Sequence, residues 1–73
     1  MKIAAKRSTS IVYNGNDGLS AVVRVSKNSV WDCKCYSDGL IQIERSCVLL
    51  DIDEATLTWL FDMTVKDIKG VKL

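Results

Sequence analysis

Val30-Trp31-Asp32-Cys33-Lys34-Cys35-Tyr36 alternates residue by residue, with Trp31, Cys33 and Cys35 in one phase and Asp32, Lys34 and Tyr36 in the other. Successive side chains of a β-strand point to opposite faces. This period of two therefore predicts a strand with one apolar face turned inward and one polar face turned to water. It is the clearest strand signal in the chain.

Downstream, Ser37-Asp38-Gly39 ends in the Asp-Gly pair favoured in tight hairpins. In the stretch 40–50 that follows, Ile41, Ile43, Cys47 and Leu49 share one phase, while Leu40, Gln42, Glu44, Ser46, Val48 and Leu50 share the other. Arg45 interrupts the apolar phase, yet no Gly, Asn or Pro marks a break. One long strand that bends near Arg45-Ser46 is expected in preference to two short ones. Upstream, Lys27-Asn28-Ser29 is a polar break, and in 19–26 Ala21, Val23 and Val25 alternate with Val22 and Arg24. Asn14-Gly15-Asn16-Asp17-Gly18 tolerates positive φ and joins that run to 8–13 as a hairpin.

Beyond Leu50 the period changes from two to that of a helix. Asp51 and Asp53 are both suited to be N-caps, and Glu54 places negative charge in the first turn, where the macrodipole favours it. On a helical wheel Ile52, Ala55, Trp59, Leu60 and Met63 form a broad apolar stripe flanked by Leu57, opposite a polar row of Glu54, Thr58 and Asp62. This phase puts Trp59 in the core and leaves Phe61, beside the polar row, as the large apolar side chain expected at the surface. The expected fold is therefore α+β: a small antiparallel β-meander of about four strands, 8–13, 19–26, 30–36 and 40–50, packed against one C-terminal amphipathic helix over about 53–64. It forms a single small domain over 1–73, with flexible ends at 1–7 and 70–73.

The chain has 73 residues, 48% of them hydrophobic and 26% charged, which suits one small globular domain. A domain of this size buries only about 60% of the surface its unfolded chain exposes, so a partner or a second copy would add much-needed apolar burial. The net charge of +1 supplies no strong long-range field towards phosphate or acidic surfaces. Three cysteines, an odd number, fit a reducing cytoplasm better than a disulfide framework. The basic opening Lys2 to Arg7 leads into Ser8-Thr9-Ser10 where a signal peptide needs an apolar segment, and the longest apolar run is Cys47-Val48-Leu49-Leu50. A cytoplasmic chain with no membrane contact is expected.

Histidine is absent, so the commonest general base and neutral metal ligand are missing, along with Ser-His-Asp and Cys-His constellations. No glycine pattern resembles a phosphate-binding loop. Cys33 and Cys35 lie about 6.6 Å apart along a strand, poorly placed for a mutual disulfide, and three cysteines fall short of a four-ligand zinc site. They read as small buried hydrophobes beside Trp31, with a cross-strand pairing to Cys47 as the alternative. Asp51, Asp53 and Glu54 lack the glycine and distal glutamate of a calcium loop and are accounted for by helix capping. No catalytic residue, metal site or cofactor is expected.

What remains is a surface. Aromatic residues are enriched among interface anchors, and an open strand edge invites strand addition. Protein-binding candidates are Phe61, Tyr13, Tyr36, Glu54 and Asp62, together with the edge strand 8–13, which could also pair with a second copy to give a homodimer. The expected function is a non-catalytic regulator or inhibitor that occludes a larger protein. Small motif-free chains of this kind are frequent among bacteriophage and mobile-element accessory proteins, an analogy of type only. The alternative is a nucleic-acid-binding module in which Lys2, Lys6, Arg7, Arg24, Lys34, Lys66 and Lys69 flank Tyr13, Trp31 and Tyr36 as a stacking platform.

Overall fold

The computed structural model describes residues 1–14 and 18–68, and shows six antiparallel strands in two sheets followed by a C-terminal helix. Four strands, β1 (Lys2–Ala4), β4 (Val30–Cys35), β5 (Ile41–Arg45) and β6 (Val48–Ile52), make one sheet in the order β1-β4-β5-β6. The other two, β2 (Thr9–Asn14) and β3 (Ser20–Val25), pair with each other and, among the described residues, with no other strand. Helix α1 spans Glu54–Phe61, and a 3-10 turn covers Val65–Asp67. The α+β class is as expected; the strand inventory is richer.

In the larger sheet the alternation of β4 has its intended effect. Cys33 pairs with Ile43, which pairs with Leu50, and Ile3 pairs with Trp31. These residues are buried, as are Cys35 and Ile41. Behind them, helix residues Leu57, Leu60 and Phe61, together with Ala5, Val25 and Ile68, complete one core. The opposite face carries Lys2, Asp32 and Glu44 in one register row and Lys34, Gln42 and Asp51 in the next, a mixed-charge face turned to water. Gln42 Nε2 donates to Asp51 Oδ1 at 3.0 Å, so Asp51 serves the sheet and does not cap the helix.

The long bent strand expected over 40–50 is replaced by two strands. Arg45 faces Val48 across a two-residue turn in which Ser46 (φ 52°) and Cys47 (φ 68°) both adopt the left-handed region. That is the backbone of a type I′ hairpin turn, usually marked by Asn-Gly, and neither residue here announces it. Resetting the register swaps the inward phase, so Leu50 is buried while Cys47 and Leu49 are exposed.

The helix is shorter than expected and rotated. Asp53 is its N-cap, accepting from the Thr56 backbone N–H at 2.7 Å. Asp62, at φ 56°, turns the chain out of the helix directly after Phe61. Ile52 belongs to β6, so the stripe anchored on it is not a helix stripe. The inward face is instead Leu57, Leu60 and Phe61, spaced i, i+3, i+4. Phe61 is therefore only 1% exposed and Trp59 48% exposed, the reverse of the expectation.

Residues 1–7, expected as a flexible end, are held in place. β1 pairs with β4, and Ala5 continues the pairing by donating to the Ser29 carbonyl at 2.9 Å and accepting from Asn28 N–H at 2.7 Å. The α-amino group of Met1 meets Asp32 Oδ1 at 3.0 Å. The other end, 70–73, lies outside the described residues, as does the 15–17 part of the glycine-rich turn. The β2–β3 hairpin itself is formed as expected, from Thr9 opposite Val25 to Asn14 opposite Ser20.

Candidate functional site

The segment after β1 runs to the C-terminal end of α1 and builds the most distinctive surface feature there. A helix leaves its last four carbonyls without intrahelical donors. In α1, Asp62 N–H satisfies Thr58 O at 3.0 Å, Lys6 N–H satisfies Leu60 O at 2.7 Å, and Arg7 Nε satisfies Trp59 O at 2.9 Å. The same guanidinium lies 5.2 Å from the centre of the Trp59 indole ring. Arg7 thus places positive charge at the negative end of the helix and holds the face of a half-exposed tryptophan. Ala55, one turn earlier on the row of Trp59, is also exposed and leaves that flank low.

A second apolar surface lies at the outer half of the β2–β3 hairpin. Val25 at its base is fully buried, but Val12 is 62% and Val22 66% exposed, directly opposite each other in register. Tyr13, on the other face, lines a recess of about 320 Å³ with Val23, Cys47, Val48 and Leu49. A polar recess of about 240 Å³ lies on the mixed-charge face, lined by Lys2, Val30, Asp32, Glu44, Arg45 and Ser46.

The expected protein-binding residues are not gathered into one patch. Phe61 is in the core. Tyr13 lies near the Ser46-Cys47 end of β5, and Tyr36, part-buried, lies at the other end, in the turn where its N–H donates to Leu40 O at 2.9 Å. Glu54 and Asp62 sit at opposite ends of α1, Asp62 serving as its C-cap. Trp59 was the surface aromatic that the wheel concealed. The signal that reveals it is the pair of Asp residues bounding the helix, since counting only from the Asp53 cap makes Leu57-Leu60-Phe61 the natural stripe.

The cations of the nucleic-acid reading are likewise dispersed. Lys2 and Lys34 stand on the mixed-charge face among Asp32, Glu44 and Asp51, Arg24 on the hairpin, Lys6 and Arg7 at the helix end, and Lys66 in the 3-10 turn. Lys69 lies outside the described residues. Trp31 is buried with its indole N–H donating to Ser29 Oγ at 2.9 Å, so it offers no ring for stacking.

The thiols follow burial. Cys33 and Cys35 are buried as expected of small hydrophobes, and desolvation, followed by the neighbouring Cys35, pushes the Cys33 thiol up to about 11. Cys47 is exposed on its turn. Among the described residues no group of three or more Cys, Asp or Glu is placed to hold a metal ion, and no helix is long and apolar enough to cross a membrane. No protein-family model, curated protein or solved structure matches this chain.

Proposed function

We propose that this chain is a non-catalytic protein-binding module that acts by covering the surface of a larger protein, with the Trp59–Arg7 pair as its anchor. The observation that carries the reading is a half-exposed tryptophan whose ring is held by an arginine already bonded to the helix end. Trp and Arg dominate the energetics of protein interfaces, and an anchor whose orientation is fixed before binding loses less entropy on docking. A ring left free in water gains about 0.5–1 kcal/mol from an exposed cation–π contact, and more once a partner excludes the water. Occlusion of a larger protein is the mode that suits a chain of 73 residues whose expected chemistry contains no histidine base.

The test is quantitative capture of partners from a bacterial lysate on immobilised wild-type chain and on Trp59→Ala, each with nuclease treatment. The expected result is one stoichiometric, nuclease-resistant protein whose recovery falls at least about tenfold on Trp59→Ala, a loss within the range of an interface anchor. Equal recovery on both baits removes Trp59 from the site. Recovery of nuclease-sensitive material alone transfers the function to the dispersed cations.

A further inference from the structure

Four strand edges are open among the described residues: β1 and β6 at the ends of the larger sheet, and the outer edges of β2 and β3. Natural edge strands are kept from pairing with other chains by shortness, charge, proline or bulges. β1 is three residues long and carries Lys2, β6 carries Asp51, and β3 carries Arg24. β2 has none of these guards. Its six residues, Thr9-Ser10-Ile11-Val12-Tyr13-Asn14, contain no charge and no proline, and they pair with β3 in unbroken register.

We infer that β2 is a homodimerisation edge, pairing antiparallel with β2 of a second copy about a two-fold axis through Val12. The choice of a second copy rests on self-complementarity. In an antiparallel pair, residues directly opposite share a face, so a two-fold axis at Val12 sets Val12 against Val12, Ile11 against Tyr13, and Ser10 against Asn14 of the other copy. Apolar meets apolar and polar meets polar. Combined with the register inside each hairpin, this makes a continuous row Val22-Val12-Val12-Val22 on one face and Val23-Ile11-Tyr13-Ala21 rows on the other. An axis one residue earlier, through Ile11, would instead oppose Ser10 to Val12 and Thr9 to Tyr13.

Charge and size point the same way. Neither β2 edge brings a like charge to the other, and with a net charge of +1 two copies repel each other weakly. A two-stranded ribbon is marginal by itself, whereas joining two hairpins makes a four-stranded sheet whose central strands are both β2. The edge is distinct from the Trp59 surface on α1, so the dimer presents two copies of that anchor and stands or falls independently of it.

The experiment is sedimentation equilibrium of wild type, Val12→Lys and Val12→Glu, with folding of each checked by circular dichroism. Wild type is expected to rise with concentration from 8.1 kDa towards twice that mass. Each charged variant opposes two like charges on the axis and is expected to weaken association at least about tenfold, while their equimolar mixture recovers it. A wild-type chain that stays at 8.1 kDa up to about 1 mM overturns the inference, as does undiminished association of either variant. If the variants fail to fold, amide exchange of the wild type decides. Exchange at β2 that slows with concentration supports the edge, and concentration-independent exchange there overturns it.

Discussion

Phe61 and Trp59 are two residues apart, and their fates are opposite. Phe61 is enclosed with Leu57 and Leu60, so Phe61→Ala is expected to leave a cavity costing about 3–5 kcal/mol. A chain of this length has a total stability of only about 4–11 kcal/mol, and the variant should show a large fall in urea midpoint or fail to fold. An unfolding free energy within about 0.5 kcal/mol of wild type would place Phe61 at the surface after all. The alternation of Trp31, Cys33 and Cys35 was legible residue by residue, because a strand's period needs no knowledge of where the strand ends. The helix phase was not. Three-turn stripes depend on where counting starts, and including Ile52, a strand residue, rotated the whole wheel.

At the scale of elements, turns with their own chemistry were readable and the turn without it was not. Asp38-Gly39 closes β4–β5, with Gly39 at φ 94° and Asp38 Oδ1 accepting from Leu40 N–H at 3.0 Å. Ser46-Cys47 makes a tighter, two-residue reversal in which both residues pay a steric penalty for positive φ, roughly 1 kcal/mol each. The double substitution Ser46→Asn with Cys47→Gly is therefore expected to raise stability by about 1 kcal/mol, after the entropy that glycine adds to the unfolded chain. Chemical denaturation checks it. No gain, or a loss, would mean that 45–48 is not a type I′ turn and that the 40–50 stretch bends as one strand. β1 leaves no sequence signal for a different reason: three residues are too few to show a period, and its place is set by the long-range pairing with β4.

Across the whole molecule, charges hold the ends of elements and make stability depend on pH. The Met1 α-amino group beside Asp32, and the Thr56 hydrogen bond to Asp53, hold both carboxyls below their ordinary range. Carboxyls depressed in the folded state contribute stability above their unfolded pKa of about 3.9, and lose it as pH falls through the lower folded values. Cys33, raised to about 11, favours the fold below the unfolded thiol pKa of about 8.5, and that contribution is lost as pH climbs towards 11. Thermal melts should thus show a plateau between these limits. Asp32→Asn with Asp53→Asn, which keeps a capping side chain, should blunt the acid limb; a limb as steep as in wild type would assign it to other groups. The α+β class was legible, since apolar phases add up to one core whichever way individual elements are turned. The single four-stranded meander was not: β2 and β3 form a sheet of their own, and β1 takes the place beside β4 that the meander gave to β3. The surface proposed as the anchor was not legible, because it is made of what the core leaves over, and a one-residue change of phase exchanges the two.

The functional reading turns on Trp59 facing water while Trp31 is enclosed, and acrylamide quenching of tryptophan fluorescence measures that directly. Wild type is expected to show one accessible and one shielded component, and Trp59→Phe, a surface substitution, to lose the accessible one while remaining folded. Survival of a strongly quenched component in folded Trp59→Phe would show that Trp59 is not the exposed ring, and would contradict the account.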